Sequence, residues 1–143
     1  MPTKITNFIH ESIVTGSQSL GTSFDLADVH AHDLTATLPA FQKGANYRGI
    51  VGGIYILLTT AGTPAKVTIR VCADAAGDQA LIPDTEATLV AGITTATTKS
   101  AAFSVKLPVY QVDGGPGNGT LYIFAKVDAG TAVFAKSTVT WRE

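Results

Sequence analysis

Lys66-Val67-Thr68-Ile69-Arg70-Val71 decides the fold class. Val67, Ile69 and Val71 alternate with Lys66, Thr68 and Arg70, the period of two that turns one face of a strand inward and the other to water. Working outward, Phe103, Val105 and Leu107 alternate with Ser104, Lys106 and Pro108. Pro108 cannot donate to a ladder, so that strand lies at an edge or bends there. Leu121, Ile123, Ala125 and Val127 share a face, with Tyr122, Phe124 and Lys126 on the other. Strict alternation in the last strand puts Val133, Ala135, Ser137, Val139 and Trp141 on one side. Ala132, Phe134, Lys136, Thr138 and Thr140 then fill the opposite side.

Ile50 to Leu58 is apolar on both faces, as in a central strand covered from both sides, and Gly52-Gly53 within it suits a bulge. Ala61-Gly62-Thr63-Pro64 and Asp128-Ala129-Gly130-Thr131 are short enough for hairpin turns. Asp113 to Gly119 is a longer glycine-rich loop. Asp74 to Thr98 reads as a surface excursion with a weak strand near Ala87 to Val90 and one helical turn around Gln79 to Ile82. Residues 1–47 are less regular: Ile5 to Val14 and Ser19 to Leu26 have strand character, and Asp28 to Gly44 shows no clean period. The expectation is one domain over residues 1–143, all-β, an antiparallel β-sandwich of jelly-roll or immunoglobulin-like kind with about eight strands.

Composition limits what such a domain does. The 143 residues are 45% hydrophobic and only 15% charged, and mean hydropathy is +0.25. A free monomer ordinarily carries about a quarter of its residues as charges, so the shortage points to a subunit covered by neighbours. Ten basic residues against eleven acidic ones leave a net charge of −1. With no Lys/Arg cluster, a nucleic-acid partner is not expected. The amino terminus lacks the apolar run of a secretion signal, and nine apolar residues from Ile50 to Leu58 are too few to span a bilayer, so synthesis in the cytoplasm and no membrane partner are expected. Cys72, the single cysteine, sits in a strand pattern as a small core filler.

Candidate sites are few. In an extended chain Asp28, His30 and His32 share one face, a spacing able to ligate zinc or a similar metal. Completing that site needs further ligands, for which His10 and Glu11 are the visible donors. The competing reading is a solvated loop with hydrogen-bonded histidines, and no cofactor is expected. Gly16-Ser17-Gln18-Ser19-Leu20-Gly21 superficially resembles a nucleophile elbow but lacks Gly-x-Ser-x-Gly, and reads as a polar turn between strands. Gly115-Pro116-Gly117-Asn118-Gly119 precedes a strand, not the helix a phosphate loop requires. Asp74, Asp78, Asp84 and Glu86 form an acidic stretch without the ligand pattern of a calcium loop. Sugar binding would call for two or three coplanar exposed aromatics drawn from Trp141, Tyr47, Tyr55, Tyr110 and Tyr122. Trp141, at the end of an alternating strand, reads as core.

Gly119-Thr120-Leu121-Tyr122-Ile123-Phe124-Ala125-Lys126-Val127-Asp128-Ala129-Gly130-Thr131-Ala132, followed by Ser137-Thr138-Val139-Thr140-Trp141, resembles small virion proteins of tailed bacteriophages, with an ending on two paired strands. The Ala-, Thr-, Gly- and Val-rich, charge-poor make-up is similar to that of capsid decoration (cement) proteins. The resemblance implies a non-catalytic, jelly-roll homotrimer on the capsid surface of the virion, made in the host cytoplasm and clamping the major capsid protein. It also implies an arm from residues 1–47 reaching a neighbour, with Tyr122, Phe124 and Phe134 as contact candidates. Two other readings stand beside it: a receptor- or glycan-binding module of a phage tail or fibre, and a sandwich enzyme using a metal at His30 and His32.

Overall fold

The computed structural model describes residues 9–34, 47–60, 62–92, 97–111 and 120–142. Among these there are nine strands and no helix: β1 (Ile9–Leu20), β2 (Val29–Asp33), β3 (Tyr47–Thr59), β4 (Lys66–Cys72), β5 (Thr85–Thr88), β6 (Val90–Ala91), β7 (Thr98–Gln111), β8 (Thr120–Val127) and β9 (Ala132–Arg142). They form two antiparallel sheets, β1-β9-β3-β7-β6 and β2-β8-β4-β5. Leaving aside the two-residue β6, the pairs are nested: β1 with β9, β2 with β8, β3 with β7, β4 with β5. That nesting is one long hairpin, closed at β4–β5, whose successive pairs lie alternately on the two sheets, which is jelly-roll connectivity.

The alternating segments place the core. Val67, Ile69 and Val71 face inward from β4, and Leu121, Ile123, Ala125 and Val127 from β8. Val51, Ile54, Ile56 and Leu58 of β3 and Phe103 and Leu107 of β7 meet them from the other sheet. Each large side chain so buried contributes about 1.5–3 kcal/mol. Cys72 and Trp141 are buried as read from the sequence. The β3 ladders slip between Val51 and Gly53 against both neighbours, so the double glycine is a bulge. β7 continues through Pro108, which pairs opposite Ile50 on the β3 side, while β6 covers only Lys99 and Ser100 of its other edge.

The structure corrects several expectations. Both short glycine turns join strands in different sheets, β3 to β4 and β8 to β9, so neither is a hairpin turn, and the C-terminal strands are not paired with each other. The Asp128 carboxylate ties the two crossings together by accepting the Ala65 and Lys66 backbone N–H groups at 2.9 and 3.1 Å. Residues 16–20 are no turn but the second half of β1. The helical turn around Gln79 to Ile82 is absent; Ala80 makes an isolated bridge to Cys72. β3 is covered on one face only, with Tyr55 38% exposed on the other.

Strict alternation also fails in β9. Its register with β3 slips between Lys136 and Phe134, and β1 slips at the same level. The bulge changes parity, so Phe134 and Ser137, three residues apart, are both buried. Within residues 1–47, β1 and β2 are integral strands of the two sheets and the 21–28 loop joins them; residues 1–8 and 35–46 of the expected arm lie outside the described residues.

Candidate functional site

β1 and β2 are edge strands of different sheets on the same side of the sandwich. Alternation along β2 sends His30 and His32 inward, and both are fully buried. Opposite them, β1 presents Ser12, Gly16 and Gln18, and the β9 bulge delivers Phe134 and Ser137. The His30 ring stacks on Phe134 with centroids 3.6 Å apart and planes 7° from parallel.

The polar atoms form a single chain. Ser137 Oγ lies 2.7 Å from both His30 Nδ1 and His32 Nε2. His32 Nδ1 meets Ser12 Oγ at 2.9 Å, and His30 Nε2 meets Gln18 Oε1 at 3.1 Å. Gln18 Nε2 donates to the Val29 carbonyl at 3.4 Å, which orients its amide with the oxygen toward His30. An amide oxygen only accepts, so His30 carries its proton on Nε2 and accepts at Nδ1 from the Ser137 hydroxyl. Ser137 then accepts from His32 Nε2–H, and His32 Nδ1 accepts from Ser12. The donor count thus assigns one direction, Ser12 to His32 to Ser137 to His30 to Gln18, with both rings neutral.

Electrostatics agree with that count. Burial lowers the pKa of His30 from 6.5 to about 4, against an opposing pull from the Phe134 backbone. His32 also falls to about 4, through burial first and the neighbouring His30 second, with the Ser12 backbone opposing. Gly16 makes the packing possible. A Cβ there would stand 2.8 Å from His30 Nε2 and would collide with Gln18 Oε1.

The metal reading is not assembled. Among the described residues no group of three or more His, Cys, Asp or Glu side chains could hold a metal ion. All four ring nitrogens of His30 and His32 are engaged by Ser12, Ser137 or Gln18. Asp28 precedes β2 and is nearly buried, its carboxyl pKa raised by burial and then by Asp25. His10 stacks on Trp141 with centroids 5.1 Å apart, and Glu11 is exposed on the opposite side of β1. The two histidines are hydrogen-bonded, as the competing reading had it, but they are buried in the sandwich and not in a solvated loop. Sequence reasoning missed Ser12, Gly16, Gln18 and Ser137; the small polar residues at alternate positions of β1 were the available signal.

The acidic stretch serves the fold. Asp74 accepts the backbone N–H groups of Asp78 and Gln79 at 3.2 and 2.9 Å. Asp84 takes Arg70 through two bonds of 3.0 and 2.9 Å, and Glu86 lies 3.4 Å from Lys66.

The outer faces of the two sheets differ. On the five-stranded sheet, register lines up three rows: Glu11–Thr140–Gly53–Ser104, Ile13–Thr138–Tyr55–Ala102 and Thr15–Lys136–Leu57–Ser100. Glu11 and Lys136 are the only charged residues in these rows, while Ile13 is 54% exposed. On the four-stranded sheet, Lys66, Arg70, Lys126 and Glu86 face outward. Phe24 from the β1–β2 loop lies beneath Arg70 and Lys126, at 4.4 and 4.9 Å. Phe124 of β8 is 1% exposed. A Cβ on Gly77 would be 3.5 Å from both Phe124 and Leu26, so loops of the same chain cover it. Of the three contact candidates, Phe134 is in the core, Phe124 is under loops, and Tyr122 keeps partial exposure. Tyr55 and Tyr122 stand on different sheets and make no common aromatic platform.

The sequence matches no family model and no curated protein. Among solved structures, the fold is similar to PRD1 vertex protein P5, at 12% identity over 99% of this chain and 75% of that one, TM-score 0.49. It is similar to a carbohydrate-binding module of the glycoside hydrolase family 9 enzyme Cel9A from Ruminococcus flavefaciens FD-1, at 8% identity over 93% and 98%, TM-score 0.47. A third likeness is to the coat protein of Tobacco streak virus, at 9% identity over 99% and 91%, TM-score 0.36. At such identity and overlap these likenesses assign neither partner nor ligand.

Proposed function

We propose that the protein is a non-catalytic structural subunit of a virion, a capsid decoration (cement) protein that stabilises the shell through contacts with the major capsid protein and with its own copies. The observation that carries this reading is the outer face of the five-stranded sheet. Its three rows hold Ile13, Tyr55, Leu57 and small uncharged residues, with Glu11 and Lys136 as their only charges, fewer than a monomer exposed to solvent ordinarily places there. The phage-like C-terminal sequence and the charge-poor composition support the same reading.

Size bears on how such a face works. Four strands about 4.8 Å apart and three rows about 6.7 Å apart present about 400 Å², half of what each partner buries in a stable binary complex. A contact of that area is weak alone and strong when repeated over a lattice. The trimer belongs to this proposal, as does the capsid-surface location. Light scattering behind a sizing column tests it: a trimer of the 14.8 kDa chain supports the reading. A monomer at every concentration that also ignores capsid shells overturns it.

A further inference from the structure

We propose that the hydrogen-bonded chain Ser12–His32–Ser137–His30–Gln18 is an acid-released latch that holds edge strand β1 against edge strand β2. This inference is independent of what the protein binds. The two strands belong to different sheets and share no backbone ladder. At this corner the sandwich is closed by the bonds of His32 to Ser12, His30 to Gln18 and Gln18 to Val29, with Ser137 of β9 between the rings.

Donor arithmetic makes the latch sensitive to one proton. Every ring nitrogen and the Ser137 hydroxyl are already committed in a single direction. A proton added at His30 Nδ1 turns an acceptor into a donor facing the Ser137 hydroxyl hydrogen, which must then swing away from its partner. A proton at His32 Nδ1 confronts the Ser12 hydroxyl in the same way. Either event also places a charge on a fully buried ring, where desolvation penalises it.

No described carboxylate is positioned to absorb that charge. On β1, Glu11 lies on the outer face, and His10 sits on the inner side against Trp141. On β9, Lys136 lies in an outer-face row and Arg142 is exposed at the strand end. On β8, Tyr122 and Lys126 face outward. On β2 itself Asp33 is exposed, and Asp28 responds to burial and to Asp25. Both rings therefore stay neutral until acid forces a proton in, in keeping with pKa values of about 4.

Hydrogen exchange read by mass spectrometry, corrected for intrinsic rates, tests the latch on the intact chain. Between neutral pH and a pH of about 4.5, amides of residues 9–20 and 28–34 should lose about tenfold or more of their protection and exchange first, while 53–59 and 121–127 remain the better protected. His30→Gln/His32→Gln should abolish that difference, and Asp28→Asn should leave it in place. Nitrogen NMR of the wild-type rings gives a readout that needs no variant: both should show the Nε2–H tautomer and titrate together with the loss of protection. Rings titrating near 6.5 with protection unchanged would overturn the latch. So would 53–59 and 121–127 becoming as exposed as 9–20 and 28–34 at the same pH, or a folded double variant with an unaltered acid response.

Discussion

The two outer faces of the sandwich are built from the same alternating strands and end up as opposite kinds of surface. The four-stranded sheet keeps its charges and covers its outward Phe124 with the 22–28 and 73–79 loops of its own chain. The five-stranded sheet leaves Ile13 and Tyr55 open among threonines, serines and an alanine, with Glu11 and Lys136 in the flanking rows. Among the described residues, one face is completed within the chain and the other has no cover. An apolar residue on an outward strand position is therefore no guide to a contact surface until the course of the loops is known.

Acid should separate the faces most. The unfolded chain binds a proton at each histidine near 6.5, whereas the folded chain excludes it until about 4. Stability contributed by the neutral rings is present above 6.5 and is lost as pH falls through that window. A fall from 6.5 to about 4, at about 1.4 kcal/mol per pH unit, corresponds to about 3 kcal/mol for each ring. Chemical denaturation across this range should show the loss. A flat profile would mean the seam beside β1, the outermost column of the open face, is not held by neutral rings.

Next in size is Phe124→Ala, which removes a side chain enclosed by the protein's own loops and should cost about 3–5 kcal/mol in denaturant unfolding. A cost below about 1 kcal/mol would show that the charged face is not closed as described. Arg70→Ala should cost about 1 kcal/mol, because its Asp84 pair is partly exposed and screened while its contact over Phe24 is also lost. Tyr55→Lys should change stability least, by about 0.5 kcal/mol, because its side chain faces outward in the free chain. Its effect belongs to assembly.

How far the sequence could be read follows from where alternation is interrupted. Residues 66–71 and 121–127 alternate without a slip, and the inward sides expected for them are the ones observed. The Gly52-Gly53 bulge was legible because glycine pairs inside strands have few other uses. The β9 bulge at Ala135 and Lys136 carries no such mark, and through it Phe134 changes sides. Gly16 to Ser19 imitates a turn because that strand faces histidines, so its inward positions are small and polar instead of apolar. The two glycine turns look alike whether a chain reverses within a sheet or crosses to the other, and only the tertiary bonds to Asp128 distinguish them. His30 and His32 share the inward side of β2 while Asp28 lies before the strand, and the chemistry of the two rings depends on Ser12, Gln18 and Ser137 from distant strands.

Co-sedimentation with capsid shells, comparing the wild type with Tyr55→Lys on the open face and Thr68→Lys on the charged one, tests the central claim most directly. The account predicts that wild type and Thr68→Lys travel with the shells, and that Tyr55→Lys stays in the supernatant while remaining folded. Wild type that fails to bind, or Tyr55→Lys that binds while Thr68→Lys does not, would contradict it.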